Sequence, residues 1–208
     1  MLGLGTKRNN RVVADYDIGL PDDWYPVDLS PESSAAWVQQ LAWDVAPSED
    51  AKAALAGRLT AVVDAVEGLG TPQLTTAVWI PTPATGELAS LLTFGLVQLA
   101  AGQGPEAYLA TLVADEGKSG PGTTFLEVHT WTAQVDAGIA VGAYNRIAHT
   151  EPDGQTRVEE RTVIGVLPPR SKEMVECIFT AQASDAFDDI VEQTMGLAAT
   201  ISVVLEKG

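Results

Sequence analysis

Residues 125–181 read FLEVHTWTAQVDAGIAVGAYNRIAHTEPDGQTRVEERTVIGVLPPRSKEMVECIFTA, and this stretch decides the fold. It contains strand-like runs at 125–135, 139–147, 158–167 and 174–181. The segments between the runs contain glycine, aspartate and proline, which adopt the backbone angles that turns require. Consecutive strands joined by such short connections predict an antiparallel meander.

Further strands are predicted before the meander. Apolar residues alternate at 12–18 and a short apolar run follows at 25–29, and together they predict a hairpin-like opening. Strands are also predicted at 74–80 and 88–99. The run at 88–99 is apolar on both faces, as is the first run of the meander, so we expect both strands to be covered on both sides.

Helices are predicted on either side of these strands in the sequence. Apolar stripes at 37–45 and 55–66 recur at helical spacing and predict a bent helix pair with one buried face. A short helix is predicted to begin at 104. Ser184 and Asp185 are predicted to cap a last helix of about five turns. Its apolar stripe consists of Phe187, Ile190, Val191, Thr194, Ala198, Ile201 and Leu205.

The order of these elements predicts an α+β protein. Long strands with tight turns, bracketed by helices, predict a single-domain α/β/α sandwich. Its central sheet is expected to be mostly antiparallel, with about six to seven strands. The length of 208 residues fits one domain spanning 1–208, with residues 1–10 as a flexible N-terminal tail.

Two segments carry a resemblance to a known family. The opening residues 16–24 read YDIGLPDDW, and residues 174–181 read MVECIFTA before FDDIV at 187–191. These segments resemble the Leu-Pro-x-x-Trp entry, last strand and closing helix of the PsbP-like and DcrB-like superfamily. The resemblance implies an α/β/α sandwich around an antiparallel sheet. It also implies an accessory, binding or envelope-associated role, since the family shares no catalytic apparatus.

The charge of the chain restricts its partners. Acidic residues number 28 and basic residues 12, which gives a net charge of −16. Such a charge repels nucleic acids and anionic lipid surfaces, so we expect no nucleic-acid partner and favour a basic protein partner. The basic residues near the N-terminus are not followed by an apolar run, and no segment approaches a membrane span. A cytoplasmic location is therefore expected.

No catalytic, cofactor-binding or metal-binding motif is predicted. Gly117-Lys118-Ser119 lacks the upstream glycine of a phosphate-binding loop. His129 and His149 have no histidine or cysteine at ligand spacing, so a zinc site is not expected. Cys177 lies in an apolar run and is predicted to be a buried, inert thiol. A Gly-x-Ser-x-Gly nucleophile motif is absent from the sequence.

Candidate partner or pocket residues come from one strand and from the tryptophans. Glu127, His129 and Trp131 lie two residues apart, so their side chains share one face of the predicted strand. They could line a pocket or orient a general base, although a solvated strand histidine is the more common situation. Trp43 and Trp79 are candidate anchors for a partner, with plain packing as the alternative.

These observations favour a non-enzymatic accessory or protein-interaction protein that presents an acidic surface to a protein partner. The alternative is a small-molecule or lipid binder with a pocket between sheet and helix, and a hydrolase ranks third. We expect no cofactor and no membrane span.

Overall fold

The computed structural model describes residues 11–30, 33–68, 74–115, 122–182 and 185–208. The predicted tail at 1–10 lies outside the described residues. In chain order the strands are β1 (Arg11–Asp17), β2 (Trp24–Pro26), β3 (Thr75–Trp79), β4 (Ser90–Gln98), β5 (Thr123–Val135), β6 (Gly138–Thr150), β7 (Thr156–Leu167), β8 (Glu173–Ala181) and β9 (Ser202–Lys207). The helices are α1 (Ser34–Val45), α2 (Glu49–Gly68), α3 (Pro105–Asp115) and α4 (Ile190–Ala199).

The main sheet has seven strands in the order β2-β3-β4-β8-β7-β6-β5. Every neighbouring pair is antiparallel, and β5 to β8 follow one another across the sheet as a meander. The predicted α+β class, the antiparallel sheet and the meander are therefore confirmed. β8 lies at the centre of the sheet, whereas β2 and β5 form its two edges.

One face of the sheet, here called the α4 face, packs against α4 and the β1–β9 sheet. Its core includes Leu92, Ile164, Val175 and Phe179 from the sheet, and Ala198 from α4. These side chains come from alternate positions of their strands, as expected when one face is buried. The α4 face therefore holds the largest apolar cluster among the described residues.

The opposite face, here called the α2 face, packs against the other helices. Leu55 and Leu59 of α2 are fully buried and share a cluster with Val78 of β3 and with α1. Tyr108 of α3 packs against a second cluster that includes Met174 of β8. Helices thus lie on both sides of the sheet, which confirms the predicted α/β/α sandwich.

The predicted last helix is too long at both ends. The helix begins at Ile190, and the side chain of the preceding cap residue, Asp189, accepts a hydrogen bond from the backbone N–H of Glu192 at 2.9 Å. It ends at Ala199; of the rest of the stripe, Ile201 lies just before strand β9 and Leu205 lies on it. Ile201 and Leu205 are four residues apart, which fits one helical turn and also two strand repeats. The β-branched residues between them favour the strand.

The predicted hairpin-like opening is wrong. β1 pairs with β9 at the end of the chain, from Arg11 opposite Lys207 to Asp17 opposite Ser202. β2 instead pairs with β3 in the main sheet. An alternating pattern shows which residues point inward, but the choice of a partner strand depends on contacts between distant parts of the chain.

Cys177 lies on the central strand and is fully buried in the α4-face cluster. The prediction of a buried thiol is therefore confirmed. Burial, followed by the nearby charge of Glu176, raises the pKa of Cys177 to about 12. The reactive thiolate is thus scarce at neutral pH.

We expect Cys177 to remain unmodified by a thiol reagent such as dithionitrobenzoate while the protein is folded. Access requires opening of the central strand, so labelling should appear only as denaturant unfolds the protein. Absorbance of the released thiolate, followed across a urea series, measures this. Rapid labelling of the folded protein would show that the α4-face core opens locally.

Candidate functional site

The β5 strand forms a long edge of the main sheet. It has 13 residues, and within the part of the chain that the structure describes only β6 pairs with it. None of its residues is fully buried, so the prediction that this run is covered on both sides is wrong. Its position at the edge explains the difference, because α4 packs on β6 and β7 and α3 packs mainly on β6, so the helices leave much of both faces of β5 uncovered.

Polar side chains from β5, β6 and β7 meet on the α4 face beyond α4. His129 Nε2 lies 2.7 Å from Glu127 Oε1, and the His129 ring stacks on the Tyr144 ring at a centroid distance of 6.2 Å. The Tyr144 hydroxyl donates a hydrogen bond to Glu160 Oε1 at 2.9 Å. We call Glu127, His129, Tyr144 and Glu160 the polar cluster. It links three strands and is open to solvent at β5, where the His129 side chain is 65% exposed.

The strand register places Arg146 beside the polar cluster. Arg146 lies opposite Glu127 on β5 and opposite Glu160 on β7. Arginine stays protonated in proteins, so Arg146 is a permanent cation, whereas His129 is charged only when it is protonated. The polar cluster and its neighbour Arg146 therefore combine two carboxylates with one permanent cation and one histidine.

Tyr144 keeps its proton in this environment. Desolvation by burial is the largest cause, followed by the hydrogen bond to Glu160 and the negative charges of Glu160 and Glu127. Together they raise the pKa of Tyr144 to about 12 from an ordinary value of 10. The hydroxyl therefore serves as a hydrogen-bond donor rather than as a nucleophile at neutral pH.

We expect an alkaline titration to reveal Tyr144 as a tyrosine that ionises near pH 12. Because its folded-state pKa is raised, its contribution to stability is complete below pH 10 and is lost as the pH rises towards 12. Ultraviolet difference spectra of the wild type and of Tyr144→Phe isolate its signal. Glu160→Gln should lower this pKa, and an unchanged value would contradict the role of Glu160.

Trp131 lies on the same face as Glu127 and His129, as the sequence predicted, but it packs inward. Its ring crosses Gly142 of β6, where even one added carbon atom would overlap the indole. The half-buried ring contacts the α4-face core. Its indole N–H is buried without a hydrogen-bond partner among the described residues. Trp131 is therefore a packing residue that lies next to the polar cluster.

Trp79 belongs to an aromatic cluster at the other end of the sheet. Its ring stacks on Trp24 at 5.9 Å and lies 4.8 Å from Phe187. Its indole N–H donates a hydrogen bond to Asp23 Oδ2 at 2.7 Å. These contacts account for Trp79 as a packing residue.

Trp43 is the exposed tryptophan of α1. Its side chain is 64% exposed, and Lys52 Nζ lies 3.7 Å from the centroid of its ring. This cation–π contact stabilises the ring at the surface. The remaining exposed area is available to a partner.

The structure therefore unites some of the candidate residues and separates others. Glu127, His129 and Trp131 share the α4 face of β5. Trp79 is on β3, five strands away, or roughly 24 Å at the usual strand spacing. Trp43 lies on α1, which packs on the α2 face. The five residues do not form one site.

Tyr144, Arg146 and Glu160 are site residues that the sequence reasoning missed. Tyr144 could have been found, because the short turn between β5 and β6 aligns Val135 with Gly138 and hence His129 with Tyr144. Glu160 belongs to the next hairpin, whose longer loop leaves several registers open in the sequence. No comparable signal identifies it.

The alternative function predicted from the sequence was binding of a small molecule or lipid between sheet and helix. A groove between α2 and the sheet lies at that location. It has a volume of about 480 Å³ and is lined by Arg58, Val62, Leu88, Leu91, Arg157 and Glu159, among others. Arg58 Nη2 lies 3.5 Å from Glu87 Oε1, so part of its charge is already paired.

Metal ligands do not cluster in the part of the chain that the structure describes. No group of three or more histidine, cysteine, aspartate or glutamate side chains is placed to hold an ion there. His129 and His149 lie on opposite faces of the sheet, since they occupy positions of opposite parity across the β5–β6 pair. None of the described helices combines the length and the apolar character that crossing a membrane demands.

Solved structures that are similar to this chain include those of two bacterial proteins. One is the crystal structure of LpqN, described as involved in cell envelope biogenesis of Mycobacterium tuberculosis; it has 12% identity and a TM-score of 0.45, over 91% of this chain and 83% of that one. The other is the solution structure of cyanobacterial PsbP (CyanoP) from Synechocystis sp. PCC 6803, with 10% identity and a TM-score of 0.44, over 96% of each chain. The resemblance predicted from the sequence was to the PsbP-like superfamily, and a PsbP protein is among the solved structures to which this chain is similar. No protein-family model and no curated protein sequence matches the chain.

Proposed function

We propose that this protein is a non-enzymatic interaction protein that presents an acidic surface to a basic protein partner. The observation that supports this most directly is the polar cluster at the open β5 edge. There Glu127 is exposed and Glu160 is half-buried behind it, in a chain whose net charge is −16. A basic surface is the complement of such a face.

The chemistry of the polar cluster supports binding rather than catalysis. Glu127 and His129 could act as an acid–base pair, but the residue that stacks on His129 is Tyr144, whose hydroxyl donates to Glu160. Tyr144 holds its proton up to about pH 12 and points towards Glu160. A nucleophile activated by His129 is therefore not provided by the polar cluster.

We expect the association rate with a basic partner to fall as the salt concentration rises. Long-range attraction by the acidic surface is screened beyond about 8 Å at physiological ionic strength. The partner is first isolated by pull-down from extract and then purified. Surface plasmon resonance at low and high salt measures its association rate with the wild type.

A pair of matched variants tests whether the polar cluster contributes to this attraction. Glu127→Gln combined with Glu160→Gln should lower the association rate and the salt dependence together. Asp64→Asn combined with Glu67→Gln, which removes two exposed carboxylates from α2, should have the smaller effect. A complex that is unchanged or tighter at high salt would contradict the proposed function, because binding by apolar burial does not weaken with salt.

The groove between α2 and the sheet supports a second candidate function, the binding of a small molecule or lipid. Its apolar side chains Val62, Leu88 and Leu91 lie beside Arg157, an arrangement suited to an apolar body with an anionic end. Thermal-shift screening with fatty acids tests it, since a ligand raises the apparent melting temperature according to its affinity. No shift at saturating ligand would exclude this class.

A further inference from the structure

We propose that the outer edge of β5 is the docking site, and that the partner contributes an extended basic segment which adds to the sheet as a further strand. This inference rests on the proposed function and names the part of the partner that is recognised. Strand addition uses the unpaired N–H and C=O groups of an edge strand, and the side chains on either face give specificity.

The length and regularity of β5 support this inference. A bulge lies between Phe125 and Glu127, but from Glu127 to Val135 the strand pairs with β6 residue by residue. A regular strand has backbone groups that point alternately to its two sides. No strand among the described residues pairs with its other side, so this part of β5 presents a continuous row of backbone donors and acceptors away from β6.

The two edges of the sheet differ in their protection. β2 has three residues and ends at Pro26, so it offers little to a further strand. β5 contains no proline, lysine or arginine, and it is rich in threonine, valine and aromatic residues, which favour strands. Long edge strands without such protective residues are the ones that pair with other chains.

The charges around β5 indicate the character of the added strand. On the α4 face, β5 carries one acidic residue, Glu127, followed by His129 and Trp131. Arg146 of β6 and Glu160 of β7 lie further in. On the α2 face, β5 presents neutral residues such as Val128, Thr130 and Thr132. A strand with basic side chains on one face and small or apolar side chains on the other complements both faces.

A second copy of this chain is a poorer occupant of the edge. Two copies would bring together two surfaces that each carry a net charge of −16. Pairing of β5 with itself would also add a second Glu127 to a face that already carries the carboxylates of Glu127 and Glu160. Like charges across such an interface oppose association.

The experiment uses a synthetic peptide of alternating lysine and valine, as long as the regular part of β5, with the full-length protein. A matched peptide has the same side chains but carries N-methyl groups on its central residues, so it keeps its charge and loses backbone donors. Hydrogen exchange with mass spectrometry locates the binding site, and isothermal titration calorimetry measures both affinities.

We expect the unmodified peptide to protect amides of Glu127–Val135 and to bind at least about tenfold more tightly than the methylated one, since several backbone hydrogen bonds are lost in the latter. Equal affinities, or protection elsewhere, would overturn strand addition. Protection of β5 that grows with protein concentration in the absence of peptide would show that a second copy occupies the edge and would also overturn it.

These outcomes are distinct from failure of the proposed function. If the purified partner binds with a strong salt dependence while β5 remains unprotected, the acidic surface acts without strand addition. If the partner binds without salt dependence, the proposed function fails, whereas tighter binding of the unmodified peptide with protection of β5 would still support strand addition at this edge. Absence of binding by the unmodified peptide contradicts strand addition alone.

Discussion

Replacement of Gly138 by alanine is expected to destabilise the protein by roughly 2–4 kcal/mol. Gly138 begins β6 with a φ of +150°, which residues with a side chain rarely adopt. An added Cβ would also overlap the backbone carbonyl oxygen of Leu167 on β7, and a backbone atom cannot rotate away. Relief requires the turn to move, which would disturb the register between β5 and β6.

Gly154→Ala provides the matched control for this prediction. Gly154 also has a positive φ, of +86°, but an added Cβ there meets nothing within 4 Å. Its substitution is therefore expected to cost about 1 kcal/mol. Urea denaturation followed by circular dichroism measures both variants. A loss in Gly138→Ala no greater than in the control would show that the turn adjusts without strain.

The meander shows which parts of the fold are predictable from the sequence. Alternating patterns between 125 and 181, interrupted by turn residues, predict strands that are consecutive in the sheet because the connections are too short for another arrangement. The sandwich follows from apolar faces that need cover by helices. Both depend on local patterns, which is why the structure confirms them.

The pairing of β1 with β9 shows what the sequence leaves open. The two strands lie at opposite ends of the chain, and no turn residue fixes their register. The Ile201–Leu205 spacing fits a helix and a strand equally, so the end of α4 depends on the availability of β1 as a partner. Such a choice is made by tertiary contacts and not by local propensity.

The candidate site was predictable only in part for the same reason. Period-two alternation places Glu127, His129 and Trp131 on one face, and the structure agrees. Whether Trp131 points to solvent or crosses Gly142 depends on the register with β6. The exposure of β5 depends on its place at the edge of the sheet, a property of the whole topology.

Phe179→Ala is expected to destabilise the protein by about 3–5 kcal/mol. Phe179 is fully buried on β8, the central strand, and its ring meets Trp24 edge to face at 5.9 Å. It lies between Leu92 of β4 and Thr162 of β7, so its removal leaves a cavity where three strands meet α4. Small domains have a total stability of about 5–15 kcal/mol, so this loss is a large share.

Phe125→Ala is the matched control, since it truncates the same side chain on the edge strand β5. Phe125 is half-buried, and its surroundings can relax into solvent, so we expect a loss of about 1–2 kcal/mol. Denaturant titrations followed by tryptophan fluorescence compare the two variants. Because Trp24 contacts Phe179, the Phe179→Ala variant should also show altered fluorescence before unfolding begins. Equal losses in the two variants would mean that the α4-face core is not the principal source of stability.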